Sequence, residues 1–152
     1  RGGFRITVLA GDCAGERSPA RVYTPLVGLD LATSGSARTR LPVDPAFEHA
    51  ALTLEGVPAL NGERLEPGTL LYLGPGRDSL ELASPAASRM LLIGGTPFGD
   101  EILLWWNFVA RTPQEMQIAT RDWIEGRRFG RVVGARGAAL IAPDPANIAQ
   151  NA

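Results

Sequence analysis

Lysine is absent from this chain, and that single absence removes several chemistries at once. Without a primary amine on any side chain there is no Schiff base, no lysine general base and no phosphate-loop lysine. Cysteine is nearly absent too. Cys13 stands alone, which excludes an internal disulfide and any multi-thiolate zinc or iron–sulfur centre. Histidine is as scarce, His49 being the single imidazole. No apolar run approaches the roughly 20 residues that a membrane-spanning helix needs. Neither charge dominates: 15 arginines face 16 acids for a net charge of −1, which leaves no footprint for nucleic acid or an anionic membrane. A single cysteine in the chain fits a reducing cytoplasm. The opening RGGFRITVLAGD lacks the basic, apolar and cleavage-site order of a secretory leader. It also starts without methionine, which leads us to expect a piece of a longer protein.

What the chain does have is enough apolar matter for one packed domain, 45% of its 152 residues. The first 110 residues alternate short apolar runs with turn residues. Strands are expected at Phe4–Ala10, Arg21–Leu31, Ala51–Val57, Thr69–Leu73, Ser79–Ala83, Arg89–Ile93 and Glu101–Val109. Gly11-Asp12, Ser34-Gly35, Asn61-Gly62, Pro67-Gly68, Gly74-Pro75-Gly76 and Gly94-Gly95 separate them. Asn61-Gly62 is the sharpest of these signals, because both residues tolerate the positive φ of a type I′ hairpin turn. Many short strands at this spacing predict a closed barrel or sandwich.

One helix is predicted, over about 113–125. Thr112 caps it, Pro113 sits where its missing N–H costs nothing, and Glu115 completes a T-x-x-E capping box. Met116, Ala119, Thr120, Trp123 and Ile124 share a face, and Gly126 is placed to end the helix. From Arg131 to Ala152 the chain turns Ala-, Pro- and Asn-rich and reads as a tail, draped on the surface or on a missing partner.

The run GGTPFGDEILLWWNFVARTPQEMQIATRDWIEGRRFG, Gly94 to Gly130, resembles the C-terminal signature of the pirin family of two-cupin proteins. VLAGDCAGERSPARVYTPLVGLDLA (Val8–Ala32) resembles the entry into the same second domain, and LEGVPALNGERLEPGTLLYLGPG (Leu54–Gly76) its central hairpin. The resemblance implies an all-β, cupin-type (RmlC-like jelly roll) barrel over residues 4–130 with one C-terminal α-helix. It also implies that this is the second half of a bicupin. The absent N-terminal cupin would carry iron or another divalent metal and quercetin 2,3-dioxygenase-like chemistry. The expected partners are that N-terminal lobe, a second copy of the chain or a regulatory protein partner, with no nucleic acid or membrane.

The metal pattern of cupins can be laid on this chain residue by residue. With its glycine on Gly56, the glutamate position falls on His49 and the two histidine positions on Val43 and Pro45. The histidine of the second motif, aligned through Gly62, Pro67 and Gly68, falls near Leu71. Neither Val nor Pro nor Leu ligates through its side chain, so this domain is expected to bind no metal or other cofactor. The remaining arrangement would be His49 with the carboxylates Glu48 and Asp44.

His49 and Glu48 are also the candidate acid–base pair, since imidazole titrates near neutrality. Adjacent strand residues face opposite sides, however, which argues for a hydrogen-bonded histidine at a barrel mouth instead. Cys13 near Arg17 is either a redox-sensitive thiol or an inert one. The Gly94–Gly99 stretch has no following Lys-Ser/Thr and precedes a strand, so it is not a phosphate cradle. Trp105 and Trp106 would face opposite sides of a strand, one inward and the other toward Trp123 or a domain interface. All three tryptophans are therefore interface candidates. Arg127, Arg128 and Arg131 mark a solvated helix end or a site for acidic groups.

Overall fold

The computed structural model describes residues 2–145. It divides into two compact units, residues 1–97 and 98–152.

The first unit is all antiparallel strand. Its elements are β1 (Arg5–Ala10), β2 (Asp12–Cys13), β3 (Glu16–Arg17), β4 (Leu26–Thr33), β5 (Ala37–Pro42), β6 (Glu48–Glu55), β7 (Ala59–Leu60), β8 (Glu63–Arg64), β9 (Leu70–Tyr72), β10 (Ser79–Ser84) and β11 (Ser88–Gly95). They form a five-stranded sheet, β1-β4-β11-β6-β9, and a four-stranded sheet, β5-β10-β7-β8, with β2-β3 as a separate ribbon. One apolar core draws on both large sheets, with Leu29, Leu31, Met90 and Leu92 from the first and Leu41, Leu80 and Leu82 from the second. Burying such side chains is worth about 1.5–3 kcal/mol each, which makes two half-apolar sheets close on each other.

Register turns the five-stranded sheet into layers. Leu31, Met90 and Thr53 stand level across β4, β11 and β6, and Leu29, Leu92 and Ala51 form the next row. The row after that is Val27, Gly94 and His49. Leucine and methionine fill the deeper rows, whereas the third has a glycine at its centre.

Asn61 and Gly62 carry φ of 50° and 86° between the paired residues Leu60 and Glu63, the geometry of a type I′ hairpin. Two sequence expectations need correction. Strand β5, ARTRLP, was not anticipated: its alternation places Ala37 and Leu41 inward but spends Arg38 and Arg40 on solvent, and the arginines mask the period. Residues 21–25 are not strand either, and β4 begins only at Leu26.

The second unit holds β12 (Leu103–Trp105), β13 (Phe108–Ala110) and α1 (Pro113–Ile124). The single strand expected at Glu101–Val109 is therefore a hairpin, broken at Trp106-Asn107. Trp106 has φ of 50°, the positive value that a two-residue type II′ loop requires at its first position. At the start of α1 the Thr112 hydroxyl accepts from the Glu115 N–H at 3.1 Å. The Glu115 carboxylate accepts from the Arg111 N–H at 2.9 Å, one residue before the N-cap, and pairs with the Arg111 guanidinium. These hydrogen bonds hold the Glu115 carboxyl below its usual range.

Candidate functional site

A cavity of about 600 Å3 opens in the first unit, well within the span of small-molecule sites, about 300–1,000 Å3. Its apolar wall comes from Val27 and Leu29 on β4 and from Val43 and Phe47 between β5 and β6. The exposed residues Asp12, Arg17 and Asp44 stand at its rim, and the loop Val22–Pro25 crosses beside them. Cys13, half-buried on the β2-β3 ribbon, also faces it.

His49 lines this cavity from β6 and is only 1% exposed. Strand alternation turns His49, Ala51 and Thr53 to the interior. The register places Gly94 opposite, and a Cβ there would stand 2.6 Å from His49 Cδ2. Gly94 is not at positive φ, so what its hydrogen provides is space for the imidazole. The Phe47 ring lies at 6.2 Å, tilted 39°.

Both ring nitrogens of His49 are enclosed; among the described residues neither makes a hydrogen bond of good geometry, the Phe47 backbone interacting with the imidazole outside that geometry. Burial pushes the imidazole below its usual pKa; Asp44 opposes this, Arg77 reinforces it and a hydrogen bond to the Phe47 backbone opposes it. The ring is thus held neutral at pH 7, with one nitrogen a donor and the other an acceptor. A ring so enclosed and so sparsely hydrogen-bonded is uncommon in folded proteins.

Glu48 points the other way. Its carboxylate accepts from the Tyr72 hydroxyl at 2.8 Å on the outer face of the sheet, and this bond raises the phenol pKa. Glu48 and His49 are adjacent in sequence and separated by the sheet. Asp44 is nearer in function to His49, sharing its cavity, with Oδ1 accepting from the Ala46 N–H at 2.9 Å. Among the described residues, no group of three or more His, Cys, Asp or Glu side chains is arranged to hold a metal ion. Val43 lines the cavity and Pro45 borders it in sequence, so the residues at the aligned ligand positions do not fit a cupin metal.

The tryptophans lie in the second unit. Trp106, Phe108, Trp123 and Phe129 form a cluster with ring centroids 5.3–6.4 Å apart. Trp105 Nε1 donates to the Pro143 carbonyl at 3.2 Å and Trp123 Nε1 to that of Leu140 at 2.6 Å. Residues 140–143 of the expected tail are thus fastened to the indoles, and Ala142 is buried; residues 146–152 lie outside the described residues. Arg127 pairs with Asp122 and Glu125, and Arg128 with Asp122.

What sequence reasoning missed is the enclosure of His49. Its signal was available in retrospect: a lone histidine at an inward position, register-paired with a glycine.

Comparison with known proteins gives this geometry a lineage. Residues 28–130 match the pirin C-terminal cupin domain. The chain is 45% identical over 142 residues to the Pseudomonas aeruginosa protein named "Putative quercetin 2,3-dioxygenase PA1205", covering 93% of this chain and 45% of that protein. It is 28% identical over 126 residues to a pirin-like protein of Caulobacter vibrioides, covering 83% and 43%. The crystal structure of a quercetin 2,3-dioxygenase from Acinetobacter baumannii superposes with a TM-score of 0.86 at 41% identity, over 95% of this chain and 48% of that one. The chain spans less than half the length of the curated relatives it matches. The two facing sheets are accordingly those of a cupin barrel, and the chain belongs to the pirin family as its C-terminal cupin domain.

Proposed function

We propose that this domain is the metal-free, structural or regulatory lobe of a two-cupin protein whose other lobe carries metal chemistry of the quercetin 2,3-dioxygenase type. One observation carries the reading. The chain keeps the cupin fold while Val43, Pro45 and Leu71 occupy the aligned ligand positions and leave His49 as the only imidazole. A catalytic cupin metal needs several imidazoles and a carboxylate with open positions between them, and one histidine cannot supply that set. The names of the relatives support the chemistry of the whole protein, and the fraction of their length spanned here supports a partner lobe of the same protein.

In this reading the hairpin of the second unit serves that lobe. Leu104 and Val109 pair across it, 72% and 67% exposed, and form an apolar outer face on the side opposite the tryptophan cluster. A second copy of the chain is the alternative occupant when the lobe is absent. The lone cysteine suits a reducing cytoplasm.

Metal analysis of the purified 152-residue chain tests the proposal. Iron, nickel and copper are expected far below one equivalent, with no oxygen consumption on quercetin. Stoichiometric metal that disappears in His49→Ala would overturn it. A barrel that binds a small molecule without metal is a second reading, favoured by the cavity beside His49.

A further inference from the structure

The two large sheets of the barrel present unlike outer faces. On the four-stranded sheet, alternation along β5 and β10 turns Arg38, Arg40 and Glu81 outward, all exposed, as expected of an antiparallel sheet with one solvated side. On the five-stranded sheet the outward positions are apolar instead. Ile93, Ala50 and Tyr72 stand level across β11, β6 and β9, and Leu91, Leu52 and Leu70 form the row beside them. Their sequence neighbours Leu92, Ala51 and Leu71 pack in the core, so these rows face away from it. Ile93, Leu70 and Tyr72 are 53%, 59% and 62% exposed. Strands β6 and β11 thus carry nearly unbroken apolar runs, the pattern of strands covered on both faces.

The charges of this face stand at its margins and are matched there. In the end row Arg89 Nε lies 2.8 Å from Asp30 Oδ1, with Glu55 as a further acidic neighbour and Arg5 level on β1. At the opposite end Glu48 accepts from the Tyr72 hydroxyl.

We infer that the outer face of the five-stranded sheet is a self-association surface whose occupant is a second copy of this chain, packed sheet on sheet about a two-fold axis. The apolar middle offers no counterion to a charged partner, so the occupant must bring an apolar face of its own, and the chain carries one. A two-fold axis along the central strand β11 lays β1 of one copy over β9 of the other. Arg5 then approaches the corner where Glu55 of the other copy stands on β6, so opposite charges meet at the rim. Five strands about 4.8 Å apart and about six residues long make a face of roughly 24 by 20 Å, so two copies bury on the order of 1,000 Å2, the floor for a specific interface. The dimer is therefore a weak one. This surface is not the Leu104–Val109 hairpin, and the inference is independent of whether His49 holds a metal.

Sedimentation velocity of the 152-residue chain over about 5–500 µM tests it, and monomer should pass to dimer within that range, with no larger species. Ile93→Glu and Leu70→Glu each place a charge in the apolar rows and should weaken the dimer at least about ten-fold. Arg38→Glu on the polar sheet and Leu104→Glu on the hairpin should leave it within about two-fold. Circular dichroism checks that each variant folds. In a mixture of 13C-labelled and unlabelled wild-type chain, intermolecular NOEs should appear at the methyls of Ile93, Leu52 and Leu70.

A chain that stays monomeric throughout, as expected if this face receives only another cupin lobe, would overturn the inference. So would open-ended growth past the dimer, or a dimer that Leu104→Glu dissolves and both sheet variants leave intact. If neither sheet variant folds, absence of intermolecular NOEs at those methyls overturns it alone. Metal content of the same preparation bears on the metal-free reading only, and the state of association bears only on this one.

Discussion

His49 and Thr53 lie on the same strand, face the same interior and are four residues apart, and each is a buried polar side chain without a hydrogen bond of good geometry among the described residues. They differ in what surrounds them. Thr53 is level with Leu31 and Met90, both essentially unexposed, in a row that leaves no room for a ligand. His49 is level with Val27 and Gly94 and lines a cavity of about 600 Å3. The same desolvation cost therefore has two meanings. In the closed row it is a hydroxyl that packing overrides, and in the open row it is an imidazole that the missing side chain of Gly94 makes room for.

The largest expected effect comes from closing the open row. In Gly94→Ala the new Cβ would stand 2.6 Å from His49 Cδ2 and 2.8 Å from the Glu48 carbonyl oxygen. The carbonyl is backbone in a paired strand and cannot swing aside. We expect a loss of about 1–3 kcal/mol in urea denaturation, the usual range for overpacking. An unchanged midpoint would mean that the mouth row yields as the deep rows do not, and that His49 can rotate into the cavity. The contrast between the rows would then be one of rigidity and not of shape.

The next effect separates the two residues by titration, since only His49 can take up a proton. Its folded pKa is lowered, chiefly by burial, so between that value and about 6.5 the unfolded chain binds more protons than the folded one. Stability from this group is complete above about pH 6.5 and falls as pH drops through that window. Melting temperatures measured from pH 7.5 to 5 should show this slope in the wild type and a shallower one in His49→Phe. Equal slopes would assign acid sensitivity to carboxylates and remove the imidazole from the account.

How much of this was legible in the sequence depends on which residues carry it. The Asn61-Gly62 hairpin and the Thr112-capped helix were readable because each is fixed by local backbone chemistry: positive φ in one, orphan N–H groups in the other. The break at Trp106 was not, because nothing in a run of apolar and aromatic residues signals that a tryptophan will adopt φ of 50°. Strand β5 was hidden by arginines that an outward face accommodates freely. At the candidate site, the single histidine and its alignment to a ligand position were legible. Its burial was not, because that depends on Gly94, 45 residues downstream, arriving opposite it through the sheet register.

The smallest effect tests the closed row. Thr53→Val replaces a hydroxyl by a methyl at a position of 0% exposure, where Oγ1 has no partner. The backbone of Thr53 is already anchored, its N–H donating to the Thr69 carbonyl and its carbonyl accepting from the Gly68 N–H, so neither bond depends on the side chain. Removing an unsatisfied hydroxyl recovers its desolvation cost, and valine suits a strand at least as well. The expected outcome is a gain of up to about 1 kcal/mol in stability from urea denaturation, with no change in pH dependence. A loss of stability would show that the hydroxyl is satisfied by an internal water. Thr53 would then cease to be a defect, and the argument that His49 stands out by its surroundings would have to rest on the cavity alone.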